Sequence, residues 1–268
     1  MTGTIGHVPG DSSRGFMDAP ELSAAIAAQG ADVVAQRLAV GLTTARRARI
    51  EAVLRARVGS LQVAIEATQD PHNAAAVIRT AEALGAGCVH VIAAGAAVPR
   101  RITRGSLYWA DTREHADWSA FAAAVPTGMR LAGACVDAAT VELAAVPVDR
   151  PLCLVFGSEQ AGLSASARAG CELHFRIPMT GMTESLNLSV AAGIALHALL
   201  ERRRVTLGAA GDLSEQEVAE RRARWYAKAV DPRLARHALG LPVDAQVPFR
   251  EYLASATVPE RQLPVTWF

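Results

Sequence analysis

The sequence predicts an α/β protein: a Rossmann-like, mostly parallel sheet covered by helices on both faces. Two observations lead there. Short, almost continuous apolar runs of strand length, such as LQVAIEA (61 to 67) and PLCLVFG (151 to 157), recur along the middle of the chain, as expected of strands buried on both sides. Between them lie segments whose apolar positions follow helical spacing, and strands that alternate with helices imply crossovers and a parallel sheet. At 268 residues the chain can bury a substantial core, with one large domain plus attachments as the expectation.

The elements follow in order. Residues 1 to about 30 are rich in Gly, Ser, Pro and Ala and read as a mobile extension or weak helix. From Ala31 to Arg57 the pattern turns helical, carried by Val34, Leu38, Leu42, Ile50, Val53 and Leu54. Gly41 divides it, and Thr43 or Thr44 can cap the second piece. LQVAIEA is a strand, and NAAAVIRTAEALG (73 to 85) is a helix with Asn73 as N-cap and Gly85 as its stop. CVHVIAA (88 to 94), RLAGACV (130 to 136), PLCLVFG and CELHFRIP (171 to 178) are strands, while WSAFAAAV (118 to 125) and SASARAG (164 to 170) are helices. Residues 186 to 203 form a helix apolar on nearly every side, headed by the polar Ser185 and Asn187. DLSEQEVAERRARWYAKAV (212 to 230) is a capped, charged helix starting at Leu213 or Ser214, and the Pro-punctuated remainder resists assignment. The expected organisation is an extension over 1–42, an α/β domain over 43–205 and a helical extension and tail over 206–268.

Composition narrows the function. No apolar run reaches membrane-spanning length, and the opening MTGTIGHVPGDSSRGF has no secretory pattern; a soluble cytoplasmic protein is expected. The net charge is only +1, yet basic residues bunch at 46–57, 99–105, 201–204 and 220–228. Such patches can follow a phosphate backbone, and solvated helix faces are the plainer reading. Cys88, Cys135, Cys153 and Cys171 form no CxxC pair and the seven histidines are scattered. Zinc spacing is absent; buried free thiols are expected.

Three stretches carry possible chemistry. In EATQDPHNAAAVIRTAEALGA (66 to 86), a loop fixed by Pro71 and Asn73 stands at the carboxyl end of a strand, where α/β sheets hold ligands. Arg79 follows among Ala, Val and Ile, and must reach a partner or snorkel outward. In LVFGSEQAGLS (154 to 164), a strand ends at Gly157 and Ser158, Glu159 and Gly162 precede a helix. Glycine lets a ligand approach the backbone, although neither GxGxxG nor a P-loop is present. In IPMTGMTESLNLSVAAGIAL (177 to 196), a Gly-containing loop leads into a helix beginning near Ser185, whose amides can hold an anion.

Taken together and in order, PHN with an Arg six residues on, FGSE-x-x-G, and IPM-x-G-x-x-x-SLN-x-SVA resemble the three motifs of the SpoU-type ribose 2′-O-methyltransferases of the SPOUT superfamily. The resemblance covers about residues 43 to 205 and is nearest to the branch that methylates guanosine 18 in the D-loop of tRNA. It implies S-adenosylmethionine as cofactor, a C-terminal deep trefoil knot, RNA as partner, no metal, and a homodimer formed through the 186–203 helix, with Leu196 and Leu199 at that contact. A helix pressed between its own sheet and a second subunit would have no wet face.

Carried over residue by residue, the resemblance gives the cofactor the surroundings of Gly157, Ile177, Met179, Ser185 and Leu186, with Ala134 and Cys135 as a wall. Asn73, Glu159, Ser185 and Asn187 would form the polar network around the methyl donor and ribose. Arg79 would be catalytic. Because arginine loses its proton only above about pH 12, it suits charge stabilisation better than proton abstraction. Arg46, Arg47, Arg49, Arg100, Arg101 and Arg104 would meet RNA. The same chemistry on ribosomal RNA, and a catalytically silent RNA-binding protein on this scaffold, are the alternatives; the first commonly needs a larger N-terminal domain, and the second would lack Arg79 or the SLN segment. A dinucleotide oxidoreductase would need a Gly-rich fingerprint where this chain has TQDPHN.

Overall fold

Alternate residues of a strand face opposite sides of a sheet, and here both sides are apolar. A computed structural model describes residues 20–66, 70–92, 109–136 and 141–242. In chain order the helices are α1 (Pro20–Gln29), α2 (Ala31–Ala39), α3 (Thr44–Arg55), α4 (Pro71–Leu84), α5 (Trp118–Ala124), α6 (Ala165–Gly170), α7 (Leu188–Leu207), α8 (Glu215–Ala229) and α9 (Pro232–Ala238). The strands are β1 (Leu61–Glu66), β2 (Val89–Ile92), β3 (Thr112–His115), β4 (Arg130–Ala134), β5 (Val141–Glu142), β6 (Leu152–Phe156) and β7 (Leu173–Arg176). Two compact units emerge, one of Thr43–Trp225 and one of Met1–Leu42 with Tyr226–Phe268.

In the first unit the seven described strands form one sheet in the order β3-β2-β1-β6-β4-β7-β5, and every pairing is parallel. Leu61, Val63 and Ile65 of β1 and Leu152, Leu154 and Phe156 of β6 share a core with Val77, Ile78 and Ala81 of α4 and Leu196, Leu199 and Leu200 of α7. The intervening residues Ala64, Cys153 and Val155 face Phe121 of α5 and Ala167 of α6. Each large side chain so buried contributes about 1.5–3 kcal/mol. At the amino edge, Arg203 is buried and fully engaged: Nε donates to Ser60 Oγ (2.9 Å) and Nη1 to the Val148 carbonyl (2.8 Å). Ser60 in turn donates to Asp212 through its hydroxyl and its backbone N–H, which ties the end of α7 to the start of β1.

The second unit contains α1, α2, α9 and the last residues of α8. Leu22, Val34 and Leu38 are buried in it, and Glu21 takes two hydrogen bonds from Arg236 (2.9 and 3.1 Å). A Cβ at Gly41 would stand 2.8 Å from Leu234 and Val230, so this glycine both breaks the helical run and permits a close approach.

Several sequence expectations need correction. Residues 20–29, read as part of a mobile or weakly helical extension, form α1, and Pro232–Ala238 form α9 under an Asp231 cap. The α4 N-cap is Asp70, not Asn73: its carboxylate accepts from His72 N–H (2.8 Å) and Pro71, with φ preset, follows. The long helix starts at Leu188 and runs to Leu207, not from 186 to 203, because Asn187 is extended and caps it. Leu196 and Leu199 are wholly buried in their own sheet's core, whereas Val190 (49% exposed), Ile194 (41%) and Val205 (83%) face outward. β3 and β5 escaped notice because TREH has no apolar alternation and β5 has two residues. Gly85 at φ 80° and Thr43 as the α3 cap match expectation.

The four cysteines are free, and three are buried; burial pushes Cys88 and Cys171 up to about 12, which leaves them inert. No helix among the described residues is long and apolar enough to cross a membrane. On the α5 side, His90 Nδ1 lies 2.9 Å from His115 Nε2 and His90 Nε2 lies 2.8 Å from Gln62 Oε1. A glutamine oxygen only accepts, so neutral His90 carries its proton on Nε2, and its Nδ1 accepts a hydrogen bond from the Nε2–H of His115. Burial, reinforced by His115, lowers His90 from 6.5 to about 4. The unfolded chain therefore binds a proton here that the folded chain refuses between those values, and stability falls as pH drops from 6.5 towards 4. Urea unfolding at stepped pH is expected to lose on the order of 3 kcal/mol more across that window in the wild type than in His90→Gln.

Candidate active site

Parallel strands bring their carboxyl ends to one edge, so register decides which residues meet there. Ile65 is level with Phe156, Gly133 with Val155 and Ala134 with Phe175. The residues that continue past this edge are Glu66, Gly157, Cys135 and the 177–187 segment. Cys135 donates its N–H to the Phe175 carbonyl (2.9 Å); Ala134 and Cys135 are half-buried beside Ile177 and the core.

Three of the residues named from sequence meet in one hydrogen-bond chain. Asn73 Nδ2 donates to Glu159 Oε1 (2.6 Å), and Asn187 Nδ2 donates to Asn73 Oδ1 (3.0 Å). Asn187 Oδ1 accepts from the Ser189 N–H (2.9 Å), the Ser189 hydroxyl (2.6 Å) and the Val190 N–H (3.4 Å). Asn73 is 9% exposed, and both ends of its amide are engaged, so its orientation is determined. Since Asp70 caps α4, Asn73 is free to make these contacts.

Gly157 opens a tight turn. Ser158 and Gly162 exchange backbone hydrogen bonds (3.0 and 2.9 Å), and the Ser158 hydroxyl accepts from the Ala161 N–H (3.1 Å). A Cβ at Gly157 would fall 2.0 Å from the Gly162 carbonyl carbon, a position no side chain can share. Across the sheet edge, residues 178–186 are exposed, and among the described residues they enter no backbone–backbone hydrogen bond. Met179 and Leu186 are each a little over a third exposed, and Met182 is fully so.

The remaining expected residues stand apart. Arg79 and Ser185 are exposed, and neither joins the Asn187–Asn73–Glu159 chain. Arg46 lies over the Trp109 ring (5.6 Å), Arg47 donates to Thr44 (3.4 Å) and Arg49 is exposed; Arg100, Arg101 and Arg104 lie outside the described residues. Among the described residues no cluster of three or more His, Cys, Asp or Glu is arranged to hold a metal ion. Sequence reading missed Ser189, and also Glu66, the acidic residue that closes the strand LQVAIE. Replacing Gly157 by Ala is expected to force the 158–162 turn outward and cost at least about 2 kcal/mol, measured by urea unfolding at neutral pH.

Comparison with known proteins gives this edge a context. Residues 60–197 match the model of the SpoU rRNA Methylase family. The chain is 35% identical over 169 residues to a tRNA (guanosine(18)-2′-O)-methyltransferase of Thermus thermophilus, covering 62% of this chain and 87% of that one. It is 35% identical over 156 residues to a 23S rRNA (guanosine-2′-O-)-methyltransferase of a Burkholderia species, covering 53% and 60%. The crystal structure of an A. aeolicus TrmH/SpoU tRNA modifying enzyme superposes with a TM-score of 0.60 at 29% identity, over 68% of this chain and 95% of that one. The matched segment holds all seven described strands and all three motif stretches, and the chain belongs to the SpoU methylase family.

Proposed function

We propose that this chain is an S-adenosylmethionine-dependent ribose 2′-O-methyltransferase acting on guanosine 18 in the D-loop of tRNA. The observation that carries the reading is the Asn187–Asn73–Glu159 chain, which gathers all three motif stretches at one sheet edge in a member of a methylase family. The names of the relatives support RNA as substrate. The Thermus tRNA enzyme is matched over 87% of its length and the Burkholderia rRNA enzyme over 60%, which favours tRNA; ribosomal RNA is the second reading. A tRNA substrate implies a cytoplasmic protein.

The residues fit the cofactor. Exposed backbone at 178–186 supplies unengaged amides and carbonyls for an adenine and ribose, and Met179, Leu186 and Ile177 supply an apolar shelf, with Gly157, Ser185, Ala134 and Cys135 around it. The strand order, with β6 between β1 and β4 and β7 beyond, is compatible with the trefoil threading that we assign to these loops. S-adenosylmethionine supplies an electrophilic methyl group when bound. A ribose hydroxyl must shed its proton as it is methylated. Asn73 and Asn187 hold Glu159 in one pose, so that polar groups of known orientation face the incoming sugar. Arg79, exposed on α4, holds phosphate and stabilises negative charge developing on the ribose oxygen.

The outward apolar residues of α7, Val190, Ile194 and Val205, are the face we assign to a homodimer. Arg46, Arg47 and Arg49 are assigned to RNA contact, together with Arg100, Arg101 and Arg104.

The deciding measurement is methyl transfer from labelled S-adenosylmethionine to undermodified tRNA and rRNA, followed by nucleoside analysis. Label in 2′-O-methylguanosine of tRNA at position 18 is expected; label in rRNA alone moves the target, and no label in either defeats the reading. Arg79→Ala is expected to lower kcat at least about 100-fold while leaving cofactor affinity within about twofold; near-normal turnover would remove Arg79 from the chemistry. The double variant V190D/I194D is expected to sediment as a folded monomer, and a persisting dimer would place the interface elsewhere.

A further inference from the structure

Glu66 is 6% exposed at the carboxyl end of β1, and no step of the proposed chemistry uses it. Taking a carboxylate out of water is costly unless its oxygens are satisfied, and an apolar residue would close this strand without that cost. Both oxygens are satisfied by one residue 98 positions away. Oε2 accepts from the Ser164 N–H (2.9 Å), and Oε1 accepts from the Ser164 hydroxyl (2.6 Å). The same hydroxyl accepts from the Ala167 N–H (3.1 Å), so its donor and acceptor roles are both filled.

Ser164 ends the turn that begins at Gly157. The far side of that turn is already held, because Glu159 accepts from Asn73. Between the two anchors, the Ser158–Gly162 bridge and the Ala161–Ser158 bond make the turn stiff. One anchor would let a stiff turn pivot; two determine its orientation. The two anchors stand at the end of β1, in Glu66, and in the first turn of α4, in Asn73. The end of β1 and the start of α4 therefore clamp the turn that carries the second motif, one anchor near each end.

We propose that Glu66 is a positioning residue for cofactor binding: acting through Ser164, it sets the pose of the Ser164 end of the 157–164 turn and hence of the backbone at Gly157, while Asn73 holds Glu159. The inference rests on the methyltransferase reading and deepens it, assigning to a buried carboxylate the affinity for S-adenosylmethionine. RNA affinity, carried by other surfaces, is independent of it.

Glu66→Gln keeps the shape but removes the charge and one acceptor oxygen, so the two charge-assisted Ser164 bonds can no longer both be made to a carboxylate. Calorimetric titration with S-adenosylmethionine is expected to give a Kd raised about tenfold, the effect of losing roughly one charge-assisted hydrogen bond's worth of orientation. KM for the cofactor rises in parallel, with kcat at saturation within about threefold and KM for tRNA within about twofold. Hydrogen exchange in residues 158–164 accelerates while that of the β1 and β6 amides does not. Ser164→Ala moves the same quantities in the same direction, and E66Q combined with S164A is no worse than E66Q alone. A variant that melts lower yet binds the cofactor like the wild type would reduce Glu66 to a stabilising cap and overturn the proposal. Should E66Q fail to fold, S164A is judged by the same criteria. Wild-type protein that binds no S-adenosylmethionine overturns the methyltransferase reading and this inference together; equal binding by wild type and variants overturns this inference alone.

Discussion

The parallel pairing of β1 with β6 is the constraint on which the rest depends. Leu61 to Ile65 lie beside Leu152 to Phe156 in register, although about ninety positions separate them. Nearly every side chain on the pair is buried, so a slip by one residue would turn each face of the sheet inside out. That penalty locks the register, and the register decides that Glu66 and Gly157 emerge at one edge. Ser164 can then reach Glu66 at the end of β1 and Glu159 can reach Asn73 in α4, and the second motif is presented to the first.

Capping and site geometry are coupled at that edge. Asp70 starts α4 with Pro71 behind it, which leaves the Asn73 amide unencumbered by helix initiation. Asn187 does two things with one side chain: its oxygen caps α7, and its nitrogen donates to Asn73. A cap contributes typically about 1 kcal/mol, so a helix start and a point of the polar chain stand or fall together. The asymmetry of hydrogen bonding strengthens the coupling, since a partner lost from a buried amide costs more than the bond contributed.

The helix α7 resolves a puzzle of its own sequence. Its apolar residues are not all core: one face packs on β1, β6 and α4, and another leaves Val190, Ile194 and Val205 in water. Scattered apolar side chains on a surface mean little, whereas a stripe along a helix next to the candidate site is the face assigned above to the proposed homodimer. The opposite sheet face shows the complementary economy. His90 and His115 stay buried by bonding to each other, with His90 also bonded to Gln62, and such pairing is what makes polar rings tolerable in a core.

The sequence alone determined the α/β class, the strands over 61–66, 152–156 and 173–176 to within two or three residues at each end, the Gly85 stop and three of the four expected buried thiols, Cys135 being only half-buried, because each follows from local rules of burial, periodicity and backbone freedom. It also named Asn73, Glu159 and Asn187, through motif spacing that resembles a known family. Tertiary structure decided what those residues touch. Whether Asn73 caps a helix or bonds Glu159 depends on a carboxylate 86 residues away. Which side of α7 is buried depends on where the sheet lies, and an apolar-all-round helix carries no internal cue. β3 was silent because an edge strand needs no apolar alternation, and Glu66 was silent because its reason for being charged is Ser164, a partner that only the β1–β6 register brings within reach.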